Sequence, residues 1–154
     1  MNVRDYTPQD AKAFHDLNMA WVSKYFTVEA EDRAQLEDPQ TFILDKGGAI
    51  LIAEYEGEAV GTVGLVPGHG EGVLELIKMS ARSDIQGKGI GRALMDAAVE
   101  KSREMGAQQI WLETNTSLEA ALALYRKSGF RELTGDELTP TPYDRCNCQM
   151  LMDL

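Results

Sequence analysis

The sequence predicts a mixed α/β fold, and three features of it carry that prediction. Short β-rich runs alternate with stretches whose apolar residues recur at helical spacing, a glycine turn joins two of those runs as a hairpin, and one strand runs directly into glycines that open a helix. The 154 residues suffice for one ordinary domain, expected over residues 1–154, with a core large enough to cover its own substrate cleft.

A short strand at Val3 to Tyr6 precedes a helix that starts near Pro8, a residue suited to a first turn because the N–H it lacks has no intrahelical partner there. The apolar positions Ala11, Phe14, Leu17, Met19, Trp21 and Val22 roughly keep helical spacing. A second, acidic helix runs through Glu29 to Leu36 and stops before Pro39. Ala49 to Tyr55 and Ala59 to Val66 form an antiparallel hairpin around Glu56-Gly57, and Gly68-His69-Gly70-Glu71-Gly72 is a flexible loop. Val73 to Ser80 is a strand. The glycine-rich turn follows, then a helix from about Gly89 to Met105 that stops at Gly106 and turns Ile90, Leu94, Ala97 and Ala98 inward. Gln109 to Glu113 is a strand, and Thr116-Ser117-Leu118-Glu119 has the form of a capping box opening a helix that ends at Gly129. A strand from Phe130, a polar loop with Pro140 and Pro142, and a last strand near Arg145 to Met152 follow.

Charge narrows the function. Fifteen basic against 25 acidic side chains give a net charge of -10, which repels phosphate backbones and anionic lipid and draws in cations such as amines. Nucleic-acid and membrane partners are therefore not expected. No apolar run approaches the roughly 20 residues of a membrane span and the N-terminus lacks a signal-peptide core, so the expected location is cytoplasmic. Cys146 and Cys148, two apart on the last strand, would share a face, with His15 and His69 distant in sequence. Neither a disulfide nor a metal site is expected from them, nor a cysteine nucleophile.

The segment Leu74 to Leu94, LELIKMSARSDIQGKGIGRAL, carries the most chemistry. N–H groups at a helix start have no intrahelical partner and the helix dipole adds positive charge, so a strand feeding glycines and then a helix suits an anionic phosphate. Lys78, Arg82, Lys88 and Arg92 stand against Asp84 alone, a local reversal within an acidic chain. The dinucleotide fingerprint fails, because the third glycine position holds Arg92 or Leu94, and no Gly-Lys-Ser or Gly-Lys-Thr is present for a P-loop.

Gln86-Gly87-Lys88-Gly89-Ile90-Gly91 fits the Gln/Arg-x-x-Gly-x-Gly/Ala pattern, and Ala121-Leu122-Ala123-Leu124-Tyr125-Arg126-Lys127-Ser128-Gly129-Phe130 fits Ala-x-x-Leu-Tyr-x-x-x-Gly-Phe. With these two motifs in order, the sequence resembles the GNAT superfamily of N-acetyltransferases. The resemblance implies a central, mainly antiparallel sheet, splayed between the strands at Val73 and Gln109 and flanked by helices, with acetyl-coenzyme A as co-substrate in the split. It implies that the stretch Gly87, Lys88, Gly89, Ile90, Gly91 and Arg92 holds the pyrophosphate, chiefly through the N–H groups of Gly87, Gly89, Gly91 and Arg92, while Gln86 shapes the loop. Main-chain groups of Met79 and Ala81 would pair with the pantetheine arm, and the Met79 N–H would polarise the thioester carbonyl. The family's asparagine seven residues before the tyrosine is Leu118 here, with Asn115 as the nearby candidate to take that contact. Tyr125 matches the family's general acid.

Glu75 is the candidate base, four residues before Met79, the offset of the glutamate base in the family's histone-acetylating branch. In an unbulged strand Glu75, Ile77 and Met79 share a face, and apolar neighbours would raise its pKa; the alternative is a solvated glutamate at the edge. His69 is the weaker candidate. Trp21, Tyr25 and Phe26, with Glu29, Glu31 and Asp32 behind, form the candidate wall for a cationic amine, or else pack into the core. The expected reaction is direct acetyl transfer to a primary amine of a small molecule or peptide. The competing expectation is a non-catalytic acyl-coenzyme A sensor or interaction module, and the last strand is free to pair across a homodimer.

Overall fold

Why the middle of the chain is apolar without alternation becomes plain in a computed structural model, which describes residues 1–85 and 87–154. Strand β1 (Asn2–Asp5) lies beside β2 (Ala49–Tyr55), which pairs with β3 (Glu58–Pro67), itself paired with β4 (Val73–Ala81). The far half adds β5 (Gln109–Thr114), the two-residue β6 (Arg131–Glu132) and β7 (Cys148–Asp153), with β7 between the other two. All neighbours are antiparallel except β4 and β5, which are parallel. Helices α1 (Ala11–Tyr25) and α2 (Ala30–Glu37) cover one face; α3 (Ile90–Glu104) and α4 (Glu119–Ser128) cover the other. Central strands are thus buried on both sides, which a continuous apolar run satisfies. Ile50 and Ile52 pack with Phe14 and Leu36, while Leu51 and Ala53 between them pack with Leu94 and Leu112.

Several element ends differ from the sequence expectation. Pro8–Asp10 forms a separate 3₁₀ turn, closed by the Thr7 N–H donating to Asp10 Oδ2 at 2.7 Å, before α1 proper. The buried stripe of α1 is Phe14, Asn18 and Val22, and α3 buries Met95 and Ser102 beside Ile90, Leu94 and Ala98, with Ala97 only partly covered. No capping box forms at Thr116. The Thr116 N–H goes to Asn147 Oδ1 and the Ser117 N–H to Asn115 Oδ1, so α4 starts at Glu119. The last strand starts at Cys148, which leaves Cys146 outside it and ends the expectation of a shared face for the two thiols. Gly129, at φ 115°, closes α4 as expected.

One irregularity organises the site. Along β3 and β4, Thr62 pairs with Ser80 and Gly64 with Ile77, so β4 carries one extra residue at Lys78–Met79, and Lys78 sits at φ 50°. The bulge is held from both directions. The buried Thr62 hydroxyl donates to the Lys78 carbonyl at 2.8 Å and accepts from the amide of Asn18 at 3.0 Å. The Lys78 ammonium, 5% exposed, donates to Asp32 Oδ1 at 2.6 Å, and Arg145 grips the same fully buried carboxylate with two bonds of 2.6 and 2.7 Å. Burial alone would raise the Asp32 carboxyl, but Arg145 and Lys78 outweigh it and hold the group well below the usual carboxylate range.

Removing this anion leaves two buried cations facing each other. Asp32→Asn is expected to cost about 3–5 kcal/mol in urea unfolding at pH 7. Because the folded pKa is depressed, the contribution is fully present above the unfolded value of ~4 and is lost as pH falls through the folded value. The gap between wild type and variant should therefore narrow below pH ~4, as unfolding curves at both pH values would read.

Candidate active site

β4 and β5 pair only from Val73 opposite Gln109 to Glu75 opposite Trp111. Beyond Glu75 they part, opening a cleft lined by Lys78 and Met79 of β4, Glu113 of β5, Trp21 and Phe26 near the end of α1, and Cys146. The β5-facing edge of β4 then has no strand partner up to Ala81, and its backbone groups can pair with an extended chain. Met79 and Ala81 both lie on this edge, partly buried against the core under α3.

At the mouth the chain makes a turn at Ser83–Ile85 and reaches α3 through Gly87 (φ 82°) and Gly89 (φ 72°), backbone angles that favour glycine. The first intrahelical bond is from Ala93 N–H to Gly89 O, so among the described residues the N–H groups of Ile90, Gly91 and Arg92 have no intrahelical partner. A Cβ built on Gly87 or Gly89 meets nothing within 4 Å, so the space before the helix is open. Gln86, assigned to this loop by the sequence, lies outside the described residues. The Ile90 side chain is core: with Leu94 it packs on Gly61 of β3, where a Cβ would lie only 2.8 Å from Ile90.

The positive charge read from the sequence is largely spent elsewhere. Lys78 is committed to Asp32, Arg82 binds Asp84 and Glu58 at 2.7 and 2.8 Å, and Arg92 reaches Asp96 one helical turn on. Lys88 alone of the four makes no ion pair among the described residues; its ammonium lies 5.9 Å from the Tyr55 ring. Anion affinity at this turn therefore resides in backbone N–H groups and Lys88.

Tyr125 of α4 does not itself line the cleft; it packs against the core with its ring edge-on to Phe130 at 5.9 Å, and burial, with the cleft residue Cys146 nearby, pushes its phenol up to about 12. At neutral pH it is a protonated donor. Leu118 and Asn115 both line the cleft, and the Asn115 amide donates to the Arg145 carbonyl at 2.7 Å and accepts from Ser117, a tie between the end of β5 and the 143–147 segment.

The bulge separates two residues expected to share a face. Glu75 and Ile77 point toward the α1 side, while Met79 packs with the α3 core. On its own side Glu75 meets His69 Nε2 at 2.8 Å, and the imidazole lies flat on Trp111, with centroids 3.8 Å apart. Glu113 stands beside them. Burial raises its carboxyl, the Thr141 hydroxyl donates to it and opposes that shift, and Glu75 adds to it. Of the three predicted aromatics, Trp21 and Phe26 line the cleft. Tyr25 is 48% exposed and lies tilted against Trp21, with ring centroids 5.4 Å apart. Glu29 and Asp32 serve Arg145 rather than a ligand.

Sequence reasoning missed Glu113, Arg145 and Cys146 as cleft residues. Glu113 had a legible signal, since Ile110 and Leu112 face the core and alternation sends a carboxylate to the opposite side with Trp111. Arg145 and Cys146 come from an irregular segment with no period to read. No group of three or more His, Cys, Asp or Glu among the described residues is placed to hold a metal ion, and no described helix is long and apolar enough to cross a membrane.

Residues 13–130 match the family model described as the acetyltransferase (GNAT) family. The uncharacterized N-acetyltransferase YjgM of Escherichia coli (strain K12) is 39% identical over 110 residues, covering 70% of this chain and 65% of that protein. The chain thus spans just under two thirds of that relative's length. An acetyltransferase of the GNAT family from Staphylococcus aureus Mu50 superposes with a TM-score of 0.87 at 22% identity, over 99% of this chain and 98% of the other. The PaiA N-acetyltransferase of Thermoplasma acidophilum, solved in complex with coenzyme A, gives 0.76 at 15% identity over 99% and 98%. Both likenesses show the fold.

Burial and the adjacent Glu113 push the Cys146 thiol up to about 12, so its thiolate fraction at pH 8 is on the order of 10⁻⁴. Iodoacetamide should therefore label Cys146 in the folded protein at least about 100-fold more slowly than in urea. Equal rates by mass spectrometry would show that the site does not hold the thiol protonated.

Proposed function

The chain belongs to the acetyltransferase (GNAT) family, and from that premise we propose that residues 1–154 act as one domain that moves an acetyl group from acetyl-coenzyme A directly to a primary amine of a small molecule or peptide. The observation that carries this reading is the parting of β4 and β5 beyond Glu75, beside the open N-terminus of α3. The coenzyme A complex of the PaiA N-acetyltransferase, a protein of the same fold, supports the choice of donor.

On this reading, the N–H groups of Gly87, Gly89, Gly91 and Arg92 take the pyrophosphate, and Lys88 adds the available cation. Gly87 and Gly89 leave the space such a group needs. The free edge of β4 at Met79 and Ala81 takes the pantetheine as an added strand, with Asn115 able to reach it through its remaining N–H. The bulge aims the Met79 N–H at the thioester carbonyl, where negative charge develops as the amine attacks. The acceptor enters from the α1 side past Trp21 and Phe26. A typical alkylamine of pKa ~10 arrives protonated, and the carboxylates Glu75 and Glu113 are its proton acceptors. The amine nitrogen then bonds to the acetyl carbon, the carbon–sulfur bond breaks and the Tyr125 hydroxyl delivers a proton to the sulfur; the second proton, shed by the nitrogen as the amide forms, returns Tyr125 to its hydroxyl form. With Cys146 held as a thiol, no covalent enzyme intermediate enters the scheme.

Calorimetry with acetyl-coenzyme A followed by thiol release across an amine panel tests the proposal. Binding without release on any amine would turn the reading toward an acyl-coenzyme A sensor, and absence of binding would overturn both. Tyr125→Phe should lower kcat by about 100-fold while leaving coenzyme A affinity unchanged, and an undiminished kcat would remove Tyr125 as the acid. Gly89→Asp places a strained, negatively charged side chain before the helix and should abolish coenzyme A binding in calorimetry.

A further inference from the structure

Glu75 and His69 form a partition between two cavities. Glu75 lines the cleft between β4 and β5, whereas His69 lines a second cavity of about 520 Å³ bounded by Trp111, Gln109, Glu137, Thr139 and Pro140. The 2.8 Å contact between Glu75 Oε1 and His69 Nε2 bridges the two spaces. The imidazole stacks on Trp111, itself 3% exposed, which sets its Nε2 beside the carboxylate. The charged groups facing the ring are Glu75 on β4, Glu113 on β5 and Glu137 across the second cavity, and Glu137 is paired with Arg131 at 3.1 Å. A cavity this roomy with polar walls admits water.

We propose that His69 is the proton outlet of the active site, passing the proton taken from the acceptor amine through Glu75 into water in the second cavity. This rests on the acetyltransferase reading and on Glu75 as proton acceptor, and it deepens both. A base enclosed beside Glu113 must shed its proton before the next turnover, and a return through the cleft meets acceptor and product. The transfer balances as one proton moving along hydrogen bonds. It leaves the ammonium nitrogen for Glu75, passes from Oε1 to the lone pair at Nε2 of neutral His69, and a proton departs from Nδ1 to water. A turn of the ring about Cβ–Cγ between turnovers brings the Nε2 proton to that water, and exchange there, with Nδ1 taking a proton in return, restores the starting tautomer. No bond between heavy atoms forms or breaks in this step, and no oxidant or reductant is needed. His69 acts through Glu75 and is a positioning and relay residue, one step from the reacting atoms.

The test measures thiol release from acetyl-coenzyme A with an accepted amine, for wild type, His69→Gln, His69→Ala and Glu75→Gln, between pH 6.5 and 9.5. His69→Gln should lower kcat on the order of 10-fold below pH 8, less than the 100-fold at which direct base catalysis begins, with KM for acetyl-coenzyme A unchanged and the deficit closing as pH rises. In His69→Ala the vacated ring space joins the second cavity, and added imidazole should restore turnover saturably. Glu75→Gln should not respond to imidazole. Because His69 lies in a glycine-rich loop, coenzyme A affinity by calorimetry reports whether either variant has lost its fold. A kcat unchanged at every pH, or a loss that imidazole leaves untouched in a variant that still binds coenzyme A, would overturn the outlet. Imidazole rescuing Glu75→Gln equally would overturn the route through Glu75. An absence of thiol release from wild type on any amine would instead overturn the acetyltransferase proposal beneath it.

Discussion

The site depends on one extra residue in β4. A regular strand would carry Glu75, Ile77 and Met79 on one face and continue its pairing geometry to the end. The bulge at Lys78–Met79 breaks that parity, so the carboxylate stays on the α1 side while the next backbone groups turn toward the opening beside β5. A residue at φ 50° with a long side chain is costly, and the surroundings over-determine it. Thr62, its hydroxyl held in turn by the Asn18 amide, satisfies the displaced carbonyl, and Asp32 holds the ammonium. α1 and α2 are therefore parts of the site as much as covers for the sheet, because each supplies one of the bulge's two anchors.

Two kinds of electrostatics divide the cleft. At its mouth the useful charge is distributed over peptide groups at the start of α3, while the basic side chains nearby are mostly paired with acids of their own. On the acceptor side the useful charge sits in two part-buried side chains, Glu75 and Glu113, with Glu75 close enough to disfavour ionisation of Glu113. The cations Lys78 and Arg145 are close by, yet Asp32 and Glu29 absorb them, which keeps them from quenching the carboxylates. Partitioned this way, the cleft tolerates a polyanion at one end and an ammonium at the other.

Much of this was legible in the sequence, for identifiable reasons. The hairpin, the glycine-opened helix and the helix ending at Gly129 rest on local rules that fix backbone angles, and the structure keeps them. The motif from Gly87 to Gly91 leads into the start of α3 and the one around Tyr125 lies on α4, two elements that helical periodicity and glycine stops made legible. What escaped was set by contacts distant in sequence. Four basic residues near a glycine turn look like an anion site until Glu58, Asp32 and Asp96 claim three of them. Thr116 to Glu119 had the letters of a cap, but Asn147 and Asn115 reached those N–H groups first. The bulge left no local mark at all, since it is defined by what β3 does opposite.

Gly61 has a consequence beyond packing. With no side chain there, Ile90 and Leu94 rest on bare β3 backbone, and the start of α3 packs directly against the bulged strand's neighbour. The span from the helix N-terminus to the bend in β4 is thereby a fixed length, as on a ruler. On the proposed reading, a carrier molecule would have to match that length to present its anionic end and its reactive end at once, and acyl carriers would be sorted by reach before any side chain inspects what they carry.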